Sequence, residues 1–179
     1  RALSLNSDEV EILCSWNGEE AEEKLILNES GCEFLIANRA GYHFASNMNA
    51  LADKANGEIL LLINDDVTLD NGSIDAGLSC LEEKTNAGLI GARLRDRKGW
   101  LTHAGILFDK RHSPYHQFDR MISSEHHAVL GKAKSVPAAT GAAMLIKKDH
   151  FQALKLSTEY LVCGEDIELC IDLRRKLSL

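Results

Sequence analysis

The sequence contains no run of about 18 apolar residues, the length a helix needs to cross a bilayer, so it carries no membrane segment of that kind. It also lacks a signal-peptide pattern, because the apolar stretch at Ile12 to Cys14 is far too short. No C-x-x-C pair occurs among Cys14, Cys32, Cys80, Cys163 and Cys170. Several of them sit in apolar runs, which predicts reduced core thiols rather than disulfides or zinc ligands. Positive charge is in short supply: 20 Lys and Arg against 27 Asp and Glu leave a formal net charge of -7. Phosphate backbones are bound by clustered cations that release counterions, so a nucleic-acid partner is disfavoured. There is no internal repeat and no low-complexity tract, which excludes solenoids and compositionally disordered chains. The expectation is a soluble, cytoplasmic chain, with any membrane association supplied by other parts of a full-length protein.

What is present is ordinary for a globular core: 179 residues, 45% of them hydrophobic, enough for one domain. Apolar runs alternate with segments of helical period, the pattern of an α/β fold with a mixed sheet flanked by helices. Strands are predicted at 10–15, 33–37, 59–63, 88–93 and 102–108, and 136–146 reads as a strand or as close-packed backbone around Gly141. Helices are predicted at 19–28, 42–55 and 73–83, with a last one from Glu165 onward; Gly31 and Gly57 are the expected stops of the first two. A polar stretch from Asp109 to about Gly131 reads as a long loop, a length that is uncommon unless functional or disordered.

Two acidic motifs stand out. The uninterrupted run Ile59 to Ile63 reads as a strand covered on both faces, and it ends in Asn64-Asp65-Asp66. Ligands of open α/β sheets bind beyond the carboxyl ends of strands, and oxygen ligands there suit Mg2+ or Mn2+. The plainer reading is that the two acids only end the strand and shape a turn. The second motif, Gly164-Glu165-Asp166, opens the last helix, where free backbone N–H groups and the macrodipole hold a carboxylate charged. Such a group serves equally as a helix start or as a positioned base for a hydroxyl.

Histidines are concentrated at His103, His112, His116, His126 and His127. His112 and His116 have i, i+4 spacing, but Pro114 between them argues against one helix presenting both to a metal. Solvated loop histidines are the simple reading; His103, beside a glycine and an apolar strand, is the exception worth following.

The ordered set W-N-G (Trp16, Asn17, Gly18), NRAGYHFASN, ILLLINDDV, GLIGARL, LTHAGILFD, SVPAATGAAMLI and GEDIELCIDLRRK resembles the family 2 glycosyltransferases with the GT-A (Rossmann-like) fold, over essentially the whole chain. The resemblance is strongest to the bacterial, rhamnosyltransferase-like branch that builds surface polysaccharides, with its THAG-type segment and a loop like Pro114-Tyr115-His116. It implies inverting transfer of a sugar from a nucleotide-diphosphate-sugar donor to a hydroxyl of a glycan or lipid-linked glycan acceptor. Asp66 would bind Mg2+ or Mn2+, with Asn64 and Asp65 near the donor's ribose or sugar. Asn17, Asn38 and Asn47 would lie along the donor, and Gly41 would permit a tight turn. Asp166 would be the general base, Glu165 would orient the acceptor or the base, and Thr140 and Gly141 would let the acceptor approach. His103 belongs to the same substrate-facing set.

The chain departs from that family in three places. Asn64 replaces the first acid of the D-x-D motif, and Trp16 stands where an acid contacts the base, with Glu19 the nearest substitute. The family's domain also begins with a further strand and helix. The resemblance thus implies that Arg1 to Ser7 is a helical remnant, that the first strand is missing, and that residues 1–179 are one GT-A domain truncated at both ends. The alternative reading is a non-catalytic GT-A-shaped binding or scaffold domain. A response-regulator-like or nucleotidyltransferase domain accounts for the strand-tip acids but not for the GED and THAG segments.

Overall fold

The computed structural model describes residues 3–4, 9–30, 35–131 and 133–179. Strand β1 (Leu13–Cys14), helix α1 (Glu20–Ser30) and strand β2 (Leu35–Ile36) form a βαβ unit, the two strands pairing in parallel with Leu13 opposite Leu35. Helix α2 (Phe44–Lys54) leads into β3 (Ile59–Ile63), and α3 (Ser73–Glu83) into β4 (Leu89–Gly91). Two hairpins follow, β5 (Leu94–Arg95) with β6 (Leu101–His103) and β7 (Ile106–Phe108) with β8 (Pro114–His116). The chain then returns through β9 (Ala143–Lys147), α4 (Lys148–Leu154) and α5 (Glu165–Leu177).

Strand β9 runs between β3 and β4 and antiparallel to both, so the ladders of this central sheet are antiparallel rather than the mixed set expected, while the parallel β1–β2 pair and the helices keep the fold α/β. Period-two alternation sends Met144 and Ile146 to one face and Leu145 to the other. Met144 and Ile146 join Leu60, Leu62, Ala45, Ala52, Phe151, Leu169 and Leu173 in the main core, under α2, α4 and α5. On the other face α3 comes so close that a Cβ on Gly77 would lie 2.4 Å from Leu145 Cδ1. Glycine is what lets this helix seat on the sheet. Four consecutive buried residues, Ala143 to Ile146, therefore mark β9 as the strand closed on both faces. The sequence run at 59–63 suggests that role for β3, whose burial alternates instead, with Leu60 and Leu62 facing the main core and the residues between them on the less covered face.

Other departures have local causes. The strand expected over 102–108 is split at Gly105, whose φ of +110° breaks the ladder and turns β6 into β7. The strand expected from 136 begins at 143, preceded by a single bridge between Ala138 and Ile106. The expected loop at 109–131 contains β8 and a series of turns. Helix α2 starts at Phe44 rather than 42 and ends, close to expectation, at Lys54 with Ala55 as its cap, while Glu11 accepts the Gly57 N–H at 2.8 Å, fastening the lead-in of β1 beside that of β3. Leu3 and Ser4 are in neither helix nor strand, and the Ser4 N–H donates to Asp75 Oδ1 at 3.0 Å; the rest of the helical remnant expected at 1–7 lies outside the described residues, as do Gly31 and Cys32. Among the described residues no helix is long and apolar enough to cross a membrane.

Candidate functional site

The C-terminal end of β3 builds the first part of the site. Asn64 donates its N–H to Ala142 O at 3.0 Å, and Val67 donates its own back to Asn64 O at 3.3 Å. Asp65 and Asp66 are thus the two corner residues of a turn leaving the sheet, and both are exposed. Asp65 stands near enough to β1 that its charge, after burial, helps push the Cys14 thiol above its usual pKa. No hydrogen bond or ion pair engages the Asp66 carboxylate among the described residues.

The approach to β9 carries the second part. Gly141, one residue before Ala142, donates its N–H to Asp166 Oδ2 at 2.9 Å, while Asp166 Oδ1 accepts the Ile167 N–H at 2.8 Å. Asp166 is half-buried at the start of α5, where Gly164 holds a φ of +123° that ordinary residues avoid. A Cβ at Gly141 would lie 3.0 Å from two ring carbons of Phe44, which would have to yield by a few tenths of an ångström, and in ordinary contact, 3.5 Å, with Asp166 Cβ. Thr140 Oγ1 accepts the Ala142 N–H at 3.3 Å. The segment 140–142 therefore touches the acid-bearing turn on one side and the helix-borne acid on the other.

Phe44 opens α2, and one turn later the same helix carries the third part. Asn47, 2% exposed, donates to Asn17 Oδ1 at 3.0 Å and accepts from Asn38 Nδ2 at 3.1 Å. Asn38 Oδ1 in turn accepts the Ala40 N–H at 2.9 Å, and Asn17 donates to Ala40 O. The three asparagines singled out in the sequence thus form one network that ties the ends of β1 and β2 to α2. We expect Asn47→Ala to destabilise the fold by about 1–3 kcal/mol, because it strands polar partners on both sides. Chemical unfolding of parent and variant measures this, and an unchanged midpoint would count against the network.

His103 and His116 complete the surroundings. His103 is 2% exposed, and its Nε2 accepts the Thr140 N–H at 3.3 Å while its Nδ1 meets His116 Nδ1 at 3.0 Å. Burial, and secondarily His116, pushes the His103 pKa from 6.5 down to about 4. Unfolded chains take up this proton near 6.5, the folded chain only near 4. His103 thus adds stability that is complete above about 6.5 and is lost as the pH falls towards 4, by about 3 kcal/mol at most. Stability between pH 6.5 and 4 should therefore fall more steeply in the parent than in His103→Gln; parallel curves would contradict this.

Several expectations are corrected. Gly41 has no positive φ, and open space surrounds it, so no tight turn depends on it. Glu165, beside Asp166 in the chain, is not a correction of this kind: it is 7% exposed, and its Oε2 has no hydrogen-bond partner among the described residues. Of the described cysteines, all free, Cys170 is buried but Cys163 is exposed, contrary to the expectation of core thiols. Trp16 donates its indole N–H to Glu19 O at 3.2 Å, which brings Glu19 beside the W-N-G segment through its backbone. Phe44 and His116 were not among the residues that the sequence marks for the site; both are found through tertiary contacts.

Among the described residues no three His, Cys, Asp or Glu side chains gather as a metal cage. Mg2+ and Mn2+ are commonly held by one or two carboxylates plus substrate phosphate oxygens, and an exposed Asp66 free of other bonds fits that mode.

No family model matches the chain. Over 138 residues, 74% of its length, it is 27% identical to an uncharacterized protein, y4gI, of Sinorhizobium fredii (strain NBRC 101917 / NGR234). Over 132 residues, 72% of its length, it is 24% identical to the O-antigen biosynthesis protein RfbC of Myxococcus xanthus. The chain spans 15% and 10%, respectively, of those two proteins.

Proposed function

We propose that this chain is a GT-A-type domain that transfers a sugar from a nucleotide-diphosphate donor to a hydroxyl acceptor in polysaccharide synthesis. The observation that carries the reading is the backbone bridge: Asn64 and Asp166, about a hundred residues apart, bond to Ala142 and Gly141, neighbours in the chain. A donor lying over this bridge would have the Asp65-Asp66 turn at its diphosphate and Asp166 at its reacting carbon. The similarity to an O-antigen biosynthesis protein supports polysaccharide synthesis as the setting.

Asp66 would hold Mg2+ or Mn2+ together with the diphosphate, and the bound cation would offset the negative charge that builds on the leaving group. Asp166 would accept the acceptor's proton as its oxygen attacks the anomeric carbon from the side opposite the leaving diphosphate, giving inversion. Two backbone N–H groups already fix the Asp166 carboxylate, and its remaining lone pairs are available for that proton. The asparagine network would brace the donor side, and Thr140 and Gly141, lacking bulk, would leave room for the acceptor. Calorimetry with nucleoside diphosphates, with and without Mn2+, tests the reading: binding should tighten with the metal. A non-catalytic scaffold would bind no nucleotide under either condition.

A further inference from the structure

We propose that His116 is a positioning residue, which sets the Thr140–Gly141 segment, and through it Asp166, by fixing His103 in one tautomer. The Thr140 N–H points at His103 Nε2, which must therefore be a bare acceptor. A neutral imidazole with Nε2 bare carries its hydrogen on Nδ1. That hydrogen has one partner, His116 Nδ1, 3.0 Å away, which must then be bare as well, leaving the His116 hydrogen on its Nε2. The two rings meet edge to face, their centroids 4.8 Å apart, which suits an N–H of one ring directed at a nitrogen of the other.

The relay is built from three separate pieces of chain. His116 ends β8, where it pairs with Ile106 of β7; His103 ends β6, on the far side of the Gly105 turn; Thr140 leads into β9. His103 is buried and cannot exchange its Nδ1–H with water, so without His116 that donor has no acceptor. The other tautomer would set Nε2–H against the Thr140 N–H. Either outcome loosens residue 140, and the next N–H in the chain is the one that holds Asp166. His116 would thus influence proton removal without touching substrate. The kinetic consequence rests on the glycosyltransferase reading, whereas the tautomer assignment does not.

Long-range 1H–15N correlation of the imidazoles in the 15N-labelled chain tests the assignment without donor or acceptor. His103 should appear with Nδ1 protonated and Nε2 bare, and His116 with Nε2 protonated. His103 in the Nε2–H form would overturn the proposal, and so would a chelator-sensitive metal shared by the two Nδ1 atoms. In His116→Ala, amide exchange at Thr140 and Gly141 should speed up by roughly 3- to 10-fold, the worth of one hydrogen bond. His116→Asn, whose Oδ1 can take the place of Nδ1 as acceptor, should restore the parent rate. Exchange unchanged in His116→Ala, or equally fast in both variants, would also overturn it. In transfer assays His116→Ala should lower kcat and leave the donor KM as it was. A change in donor KM alone would contradict positioning of Asp166.

Discussion

Replacing Asp166 by Asn should lower sugar transfer by roughly 10²- to 10⁴-fold while donor binding persists, the loss expected when a positioned base is removed. The prediction follows from the way the carboxylate is held. Its two oxygens accept from Gly141 and Ile167, an arrangement that fixes its direction without consuming its capacity to take a proton. An amide keeps one of these acceptors and turns an N–H against the other donor, so Asp166→Asn also carries a stability cost of about 1–3 kcal/mol. Rates are therefore to be compared well below the unfolding temperature of the variant, with donor affinity measured on the same samples. Equal transfer by parent and variant would remove Asp166 from the chemistry.

Asp66→Ala should abolish the gain in nucleoside diphosphate affinity that Mg2+ or Mn2+ provides, and lower transfer by about 10²- to 10³-fold, as when one group aimed at developing charge is deleted. This variant separates function from folding more cleanly than the first. Asp66 is exposed at a turn corner and no hydrogen bond or ion pair engages it among the described residues, so its removal should shift stability by no more than about 0.5 kcal/mol. Metal titrations monitored by calorimetry, alongside thermal unfolding, give both numbers. Metal-linked binding that survives intact in the variant would move the metal elsewhere.

The parts of the fold legible in the sequence are those specified by local pattern. The run at Ile59–Ile63, the segment Ser73–Glu83 and the acid-rich start at Glu165 each became the element expected of them. Their boundaries depend on neighbours in sequence, such as the turn residues after Ile63. What was not legible depends on partners far along the chain. Helix α4 was missed because KDHFQAL is only seven residues long, and its anchor, Phe151, is buried against residues of β3, β9 and α5. The apolar run Ala138 to Ile146 does not reveal that pairing with β3 starts only at Ala143, since that register is set by the opposite strand.

The same division holds for the site. Asn17, Asn38 and Asn47 could be named from the sequence, but only the tertiary network explains why three amides belong together. His116 looked like a solvated loop histidine because its partner, His103, is reached across the Gly105 turn, in a hairpin that the polar composition of 109–131 conceals. The GED motif names Glu165 but does not show that α5 turns its side chain inward, since that burial is set by the elements packed on the helix.

The central claim is that Asp66 and Asp166 face one bound donor, Asp66 at its diphosphate and Asp166 at the sugar carbon attached to that diphosphate. Crystals of the chain soaked with Mn2+ and a panel of nucleoside diphosphates test it most directly, through the anomalous signal of the metal. The account predicts manganese bound to an Asp66 oxygen and to the diphosphate, with Asp166 facing the phosphate end of the nucleotide. Manganese and nucleotide bound together at a place remote from Asp66, or a nucleotide whose diphosphate points away from Asp166, would contradict it.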